Sequence, residues 1–198
     1  MSFNHALVAA AAATLLAAGC APTSHETKAD ATPAASAERT VMVGGAAMYP
    51  SRNIIENAVN SADHTTLVAA VKAAGLVDTL SGPGPFTVFA PTNAAFAKLP
   101  AGTVDTLLIP ANKGTLTTVL TYHVVAGRVS SADLVRMINA GGGKAVLTTV
   151  QGGALTAMRS GSNVTLTDAQ GGVSTVTIAD VYQSNGVIHV VDTVLLPG

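Results

Sequence analysis

Histidine, serine and aspartate are the residue types in this chain that could carry acid–base, nucleophilic or metal chemistry. Four of the five histidines, His25, His64, His123 and His189, follow the apolar N-terminal run. A zinc site needs three or four ligands at close range, and no local spacing here supplies them. No serine lies in a G-x-S-x-G turn, which would indicate a hydrolase nucleophile. We therefore interpret these histidines mainly as hydrogen-bonded interior residues, and predict no catalytic residue and no metal.

A glycine run at 141–143, followed by Lys144, is similar to the end of a phosphate-binding loop. That loop needs a Ser or Thr after the lysine and a glycine earlier, and this chain has Ala145 and Ile138 at those positions. A loop between a helix and a strand is the better interpretation. The sequence predicts no cofactor and no enzyme activity.

The composition is poor in charge. Charged residues make up 11% of the 198 residues and the formal net charge is −1, whereas soluble domains carry about 25% charged residues. A nucleic-acid binder shows a basic excess or a basic stripe, and the ten positive residues here are scattered. The composition therefore argues against a nucleic-acid partner, and the single cysteine excludes a disulfide scaffold.

The single cysteine lies at the end of an apparent export signal. Apolar residues dominate positions 6–21, roughly 16 residues, which is shorter than the ~20 that span a bilayer as a helix. This predicts a signal peptide over residues 1–19. The run Ala17-Ala-Gly-Cys20 resembles the lipobox of bacterial lipoproteins, which implies acylation of Cys20 as the one attachment to a membrane. The alternative is an ordinary secretory signal, because Ala17 stands where a lipobox prefers Leu.

Residues 20–42 have no apolar period and are predicted to form a disordered tether. Fully extended at ~3.3–3.6 Å per residue, residues 21–40 of this tether reach at most roughly 70 Å from a membrane. The remaining residues, 43–198, are predicted to form one domain that is large enough to bury a core without disulfides or metal.

Helical spacing dominates the first half of this domain and β-branched runs dominate the second. Helices are predicted at 53–59, 65–74, 103–109, 115–121 and 131–138, with short turns at 76–80 and 93–96. Strands are predicted at 86–90, 122–125, 145–150, 154–158, 164–167, 173–181 and 187–195. This order favours an α+β fold.

Capping signals mark several helix ends. Gly75 stands where a helix C-terminal glycine belongs, and Asp63 or Thr65 is predicted to cap the helix that Gly75 closes. Ser130 and Asp133 have the spacing of a capping box.

Three stretches together resemble the fasciclin domain family. They are Thr87-Val-Phe-Ala-Pro-Thr-Asn-Ala-Ala-Phe96, then Tyr122-His123-Val-Val, and then Asn185-Gly-Val-Ile-His-Val-Val-Asp-Thr-Val-Leu-Leu-Pro197. Their order and spacing also agree with the family, over about residues 51–198. The resemblance implies a single domain in which a wedge or sandwich of β-strands is flanked by several short helices. It also implies use in cell adhesion and extracellular-matrix contact.

The resemblance also suggests roles for particular residues. By likeness to animal members, Tyr122-His123 and Asp180-Val181 correspond to proposed partner contacts, although Val181 replaces an Ile there. Thr92 and Asn93 are expected to cap or tie the loop after the first signature strand. Asn185 and Gly186 are expected to form the turn before the closing strand, which contains His189.

Two functions of different classes follow. The first is a lipid-anchored module of the cell envelope that mediates adhesion through a protein or glycan on another cell or on matrix. It would lie in the periplasm, on the outer membrane or at the cell surface. The second is a carrier that binds a small apolar ligand or lipid between helices and sheet, which the low charge and the Val-, Leu- and Ala-rich helices favour.

Overall fold

The computed structural model describes residues 39–198. The predicted signal peptide (1–19), Cys20 and the predicted tether as far as residue 38 lie outside the described residues. The first described element is a hairpin of β1 (Val41–Val43) and β2 (Ala46–Met48). Regular structure therefore begins two residues before the predicted domain start.

Seven α-helices follow within the described residues, mostly where helical spacing predicts them. They are α1 (Ile54–Ala58), α2 (Thr65–Ala74), α3 (Val77–Ser81), α4 (Asn93–Ala97), α5 (Thr103–Leu108), α6 (Lys113–Tyr122) and α7 (Ser131–Ala140). Short 3-10 turns at Ala62–His64 and Pro110–Asn112 precede α2 and α6.

Local capping explains where several of these helices begin and end. The side chain of Ser130 accepts a hydrogen bond from the backbone of Asp133, whose carboxylate accepts one from the Ser130 N–H, which confirms the predicted capping box of α7. Asn53 and Glu56 form a second box at α1. Gly75 ends α2 in the left-handed conformation, with φ of 72°, which favours a residue without Cβ.

The remaining seven strands form one sheet in the order β4-β3-β9-β8-β7-β6-β5. They are β3 (Phe86–Pro91), β4 (Val124–Ala126), β5 (Lys144–Thr148), β6 (Ala154–Ser160), β7 (Asn163–Thr167), β8 (Val173–Gln183) and β9 (Gly186–Val191). Only β3 and β9 pair in parallel. An isolated bridge between Val125 and Thr149 links the two ends of the sheet, so the sheet nearly closes into a barrel.

Two apolar cores lie on the sheet. One lies between the helices and strands β3 and β9, and includes Leu67, Leu120 and Ile188. The other fills the nearly closed sheet beneath α7 and includes Leu134 and Leu155. The predicted α+β class is therefore confirmed, with a strand wedge and flanking short helices.

Two local predictions are wrong. Tyr122 and His123 do not begin a strand: Tyr122 is the last residue of α6, His123 is its C-terminal cap, and β4 starts at Val124. The ring of His123 makes a hydrogen bond with the Val119 carbonyl one turn back and thereby holds the helix end. Neither Asp63 nor Thr65 is the residue at the cap position of α2, which is His64.

Candidate functional site

A β-bulge in β8 sets the position of Asp180. Ile178 pairs with Val190 and Val181 pairs with Ile188, so two residues of β8 stand opposite His189 on β9. Asp180 has a φ of 59°, a left-handed conformation that Asp tolerates better than most residues with a side chain. The bulge redirects its carboxylate toward α7.

The carboxylate of Asp180 binds the first residue of α7. One oxygen accepts a hydrogen bond from the Ser131 backbone N–H at 2.7 Å, and the other accepts one from the Ser131 hydroxyl. A negative charge at a helix N-terminus is stabilised by the unpaired N–H groups and the helix dipole. Asp180 thus supplies a long-range cap to α7 in addition to the local box at Ser130.

His189 is held on the other side of the same bulge. Its Nδ1 accepts the Asp180 backbone N–H at 3.3 Å, and its Nε2 lies 2.8 Å from the Val129 carbonyl, to which it donates. Its ring stacks on Phe89, and burial lowers its pKa. The group Ser131, Asp180 and His189 is not a catalytic triad, because the serine contacts the aspartate directly and both imidazole nitrogens are bound to backbone.

Tyr122 and His123 join α6 to the end of the chain and to the second half of the sheet. The Tyr122 hydroxyl donates to the Ala154 carbonyl at 2.7 Å and accepts the Ala169 N–H at 3.0 Å. His123 Nδ1 donates to Val119, and Nε2 accepts the Leu195 N–H at 3.0 Å. Burial lowers the pKa of His123 to about 4, so the ring is neutral at physiological pH.

The four residues that the resemblance assigns to partner contact have other roles in this fold. The exposed fractions of Tyr122, His123 and Val181 are 0%, 2% and 1%. Asp180 is half-buried, and both of its carboxylate oxygens bind Ser131. Tyr122, His123 and Val181 therefore offer no surface to a partner of the folded domain.

The predicted turn lies at Ser184 and Asn185, one residue earlier than expected, and Gly186 is the first residue of β9. The Asn185 amide accepts the Ile54 N–H at the start of α1, and donates to the Leu80 and Gly82 carbonyls at the end of α3. A Cβ at Gly186 would lie 2.2 Å from the Phe86 carbonyl oxygen, so only glycine fits between β9 and β3.

Thr92 and Asn93 act as the predicted cap and tie. The Thr92 hydroxyl accepts the Ala95 N–H and caps α4. The Asn93 amide oxygen accepts the Thr66 N–H at 3.0 Å, and its NH₂ donates to the Ala62 carbonyl. Asn93 therefore caps α2 from a distance, which is the role that neither Asp63 nor Thr65 fills.

Sequence reasoning missed two further polar ties. Asn57 is fully buried, binds both backbone polar groups of Tyr49 and donates to Gln183. Asp168 accepts backbone N–H groups from Gly172 and from Leu196 near the chain end. In the sequence, the signal for the first contact was the amide of Asn57 among the apolar residues of α1. The signal for the second was the glycine pair at 171–172, just after Asp168.

The outer face of strands β5–β8 carries exposed apolar side chains, and we define it by two cross-strand rows. The first row runs Val146, Thr156, Thr167, Val173, and the second runs Lys144, Met158, Thr165, Thr175. Val146, Val173 and Met158 are 60%, 54% and 36% exposed. Lys144 is the one charged side chain in these rows. Alternate residues of the same strands point into the core beneath α7.

Residues 39–198 hold neither a metal-binding cluster nor a membrane-spanning helix. These residues contain no cluster of three or more His, Cys, Asp or Glu side chains that could hold a metal ion. They also contain no helix with the length and apolar character needed to cross a bilayer.

The signature segments thus tie helix ends and strands together within one α+β domain, and the comparisons identify the family. The fasciclin domain family model matches residues 62–197, and this chain belongs to that family. The structure resembles a domain pair from the insect cell adhesion molecule fasciclin I, with a TM-score of 0.66 at 18% identity, over 81% of this chain and 58% of that one. That likeness shows the fold.

Several curated relatives are similar in sequence. Protein sll1483 of Synechocystis sp. is 48% identical over 81% of this chain and 82% of its own length. Immunogenic protein MPB70 of Mycobacterium bovis is 40% identical, over 71% of this chain and 66% of that protein. Cell surface glycolipoprotein MPB83 of the same species is 38% identical, over 62% of this chain and 48% of that protein.

Proposed function

We propose that this protein is an exported adhesion module of the cell envelope that contacts a protein or glycan through the outer face of β5–β8. The observation that carries the proposal is the exposure of Val146, Met158 and Val173 on one uncovered sheet face. Soluble proteins rarely leave apolar side chains grouped on one face unless something binds there.

The chemistry of the outer face suits a neutral partner. Threonines lie beside the exposed apolar residues in both rows, so the face offers methyl groups for packing and hydroxyl groups for hydrogen bonds. Lys144 lies at one end of its row, away from the centre of the face. A contact of this kind depends weakly on salt, because there is little charge to screen.

Attachment to a membrane is the second part of the proposal. The lipobox-like sequence at Cys20 would anchor the module through lipid, and residues 21–40 would hold the domain away from the bilayer. The names of two similar proteins, a cell surface glycolipoprotein and an insect cell adhesion molecule, agree with a role at the cell surface.

The test replaces two exposed valines of the outer face with glutamate in a strain that lacks the native gene. Cells carrying Val146→Glu with Val173→Glu should attach to one another and to a surface no better than the deletion strain, since two desolvated carboxylates oppose docking. The matched control is Ile109→Glu, an exposed apolar residue after α5, which should leave attachment unchanged.

Two results would count against the proposal in different ways. If the deletion strain attaches like its parent, the adhesion function is wrong. If the double variant is folded, equally abundant and fully adhesive, adhesion uses another surface. Circular dichroism and quantitative immunoblotting establish folding and abundance.

A further inference from the structure

A narrow apolar cavity lies between the helices and the sheet, separate from the outer face. Its volume is about 40 Å³, and its walls come from β1, β2, α1, α2, α3, β3 and β9, among others. One face of α2 runs along it, with Leu67, Val68 and Val71 between two polar residues, His64 and Lys72. The spacing of these positions, three or four residues apart, places them all on one side of the helix.

His64 is a buried polar group with an unused nitrogen in this cavity. The residue is 3% exposed, Nδ1 lies 2.9 Å from the Ser61 hydroxyl, and Nε2 has no hydrogen-bond partner. Burial lowers the pKa of His64, and the Ala90 carbonyl only partly offsets this without completing a hydrogen bond of normal geometry. A buried polar atom left unpaired destabilises the empty site, so a ligand that pairs with it gains affinity.

Lys72 supplies a cation at the other end of the same helix face. It is exposed, and it makes no ion pair with any residue between 39 and 198. Eight residues separate it from His64, which corresponds to about 12 Å along a helix at ~1.5 Å per residue. Half-buried Ile55, Ala58 and Val77 line the cavity on α1 and α3.

We infer that this cavity binds a single-chain amphiphile whose anionic head pairs with Lys72 and whose apolar chain lies along α2, with a hydroxyl group reaching His64 Nε2. This inference concerns a different surface from the proposed adhesion face, so either can fail alone.

The chain of such a ligand is larger than the cavity, so the wall formed by α1 and the β1–β2 hairpin must move outward. The hairpin is a separate two-stranded sheet. It is tied to the chain that follows it by the hydrogen bonds between Tyr49 and Asn57 and by the Ala62 N–H bond to the Gly44 carbonyl. The same wall is held by the packing of Val43 and Met48 in the core, by the bond from Asn57 to Gln183 and by the bond from the Ile54 N–H to Asn185. Opening the cavity requires these contacts to break while the seven-stranded sheet stays intact.

The test compares three probes of equal chain length by calorimetry on the full chain. Omega-hydroxydecanoate carries both polar groups, decanoate carries only the carboxylate, and decanol carries only a hydroxyl. We expect omega-hydroxydecanoate to bind more tightly than decanoate by about fivefold or more, and decanoate more tightly than decanol by a similar factor.

Substitutions show which residue is responsible for each difference in affinity between the probes. Lys72→Met should remove the preference for decanoate over decanol, whereas the control Lys144→Met, on β5 outside the cavity, should keep it. His64→Phe should remove the preference for omega-hydroxydecanoate over decanoate and keep the binding of decanoate. Ala58→Phe places a larger side chain on the cavity wall and should weaken the binding of all three probes. Val59→Phe should leave their binding unchanged, because Val59 does not line the cavity.

Three outcomes would overturn the inference. The first is no heat of binding for any probe up to its solubility limit with the folded wild-type chain. The second is equal affinity for decanol and decanoate, which would indicate a purely apolar occupant instead. The third is unchanged binding in Ala58→Phe, which would place the probes elsewhere on the protein.

Discussion

At the scale of the residue, burial keeps three imidazoles neutral. Burial lowers the pKa of His64, His123 and His189, and that of His123 falls to about 4. Both ring nitrogens of His123 and of His189 are hydrogen-bonded in the neutral form. Protonation of either ring would convert an acceptor into a donor facing an N–H group.

Stability should therefore fall with acid. An unfolded histidine takes up a proton below pH ~6.5, whereas His123 in the folded protein does so only near pH 4. The unfolded state binds more protons across this window, so the stabilisation is complete above pH ~6.5 and is lost as pH falls toward 4. His123 alone should account for about 2–3 kcal/mol between pH 7 and 4.5.

Urea unfolding at these two pH values measures the effect. His123→Gln should be less stable at neutral pH and should lose less on acidification than the wild type. An equal loss in the variant and the wild type would contradict the assignment to His123.

Substitution of Asp180 tests whether this signature residue stabilises the fold or contacts a partner. Asp180→Ala removes the cap of α7 and places alanine at a positive φ, so we expect a loss of about 1–3 kcal/mol in unfolding free energy. Asp180→Asn keeps one acceptor oxygen and tolerates this φ better, so its loss should be smaller. The control is Asp105→Asn, on the exposed side of α5.

Chemical denaturation gives the stabilities, and cell attachment gives the function. If Asp180→Asn is as stable as the wild type yet fails in attachment, Asp180 contacts a partner. If cell attachment decreases in step with unfolding free energy across the variants, the role of Asp180 is structural.

At the scale of the element, helix ends are fixed by side chains that lie far away in sequence. Asn93 caps α2, Asp180 caps α7, and Asn185 ties the start of α1 to the end of α3. Short helices need such help, because isolated helices of this length are unstable in water. In this chain, the signature segments therefore mainly supply side chains that connect one secondary-structure element to another.

Replacement of a connector should loosen two elements at once. Asn185→Ala leaves the Ile54 N–H and the Leu80 and Gly82 carbonyls without their partner, so we expect a loss of about 2–4 kcal/mol. Hydrogen exchange should show faster opening of α1 and α3 together, with α7 unchanged. Faster exchange in only one of these two helices would contradict the role of Asn185 in connecting them.

Local signals in the sequence predicted most elements, and long-range contacts account for the failures. Gly75 and the box at Ser130 depend on residues within one turn, so they were predictable. Tyr122 and His123 have the residue types of a strand, but a hydrogen bond to Leu195, 72 positions away, fixes them at a helix end. The outer face was not predictable either, because which face is exposed depends on where α7 packs.

At the scale of the whole molecule, the proposed lipid anchor at Cys20 would decide where the domain works. Cys20→Ala should move the protein from the membrane fraction to the soluble fraction and abolish cell attachment, because acyl chains supply the membrane affinity. Intact mass spectrometry should show a diacylglyceryl group on the wild-type chain only. Soluble wild-type protein without this group would exclude the lipid anchor.

The position of β9 bears on when the chain can reach its folded state. β9 is the last strand of the chain to be synthesised, yet it lies inside the sheet between β3 and β8, pairing with residues about 100 positions earlier. Neither core can be completed until β9 arrives. A chain still emerging from the ribosome therefore lacks the strand that both cores need. The topology places completion of the fold after the synthesis of β9.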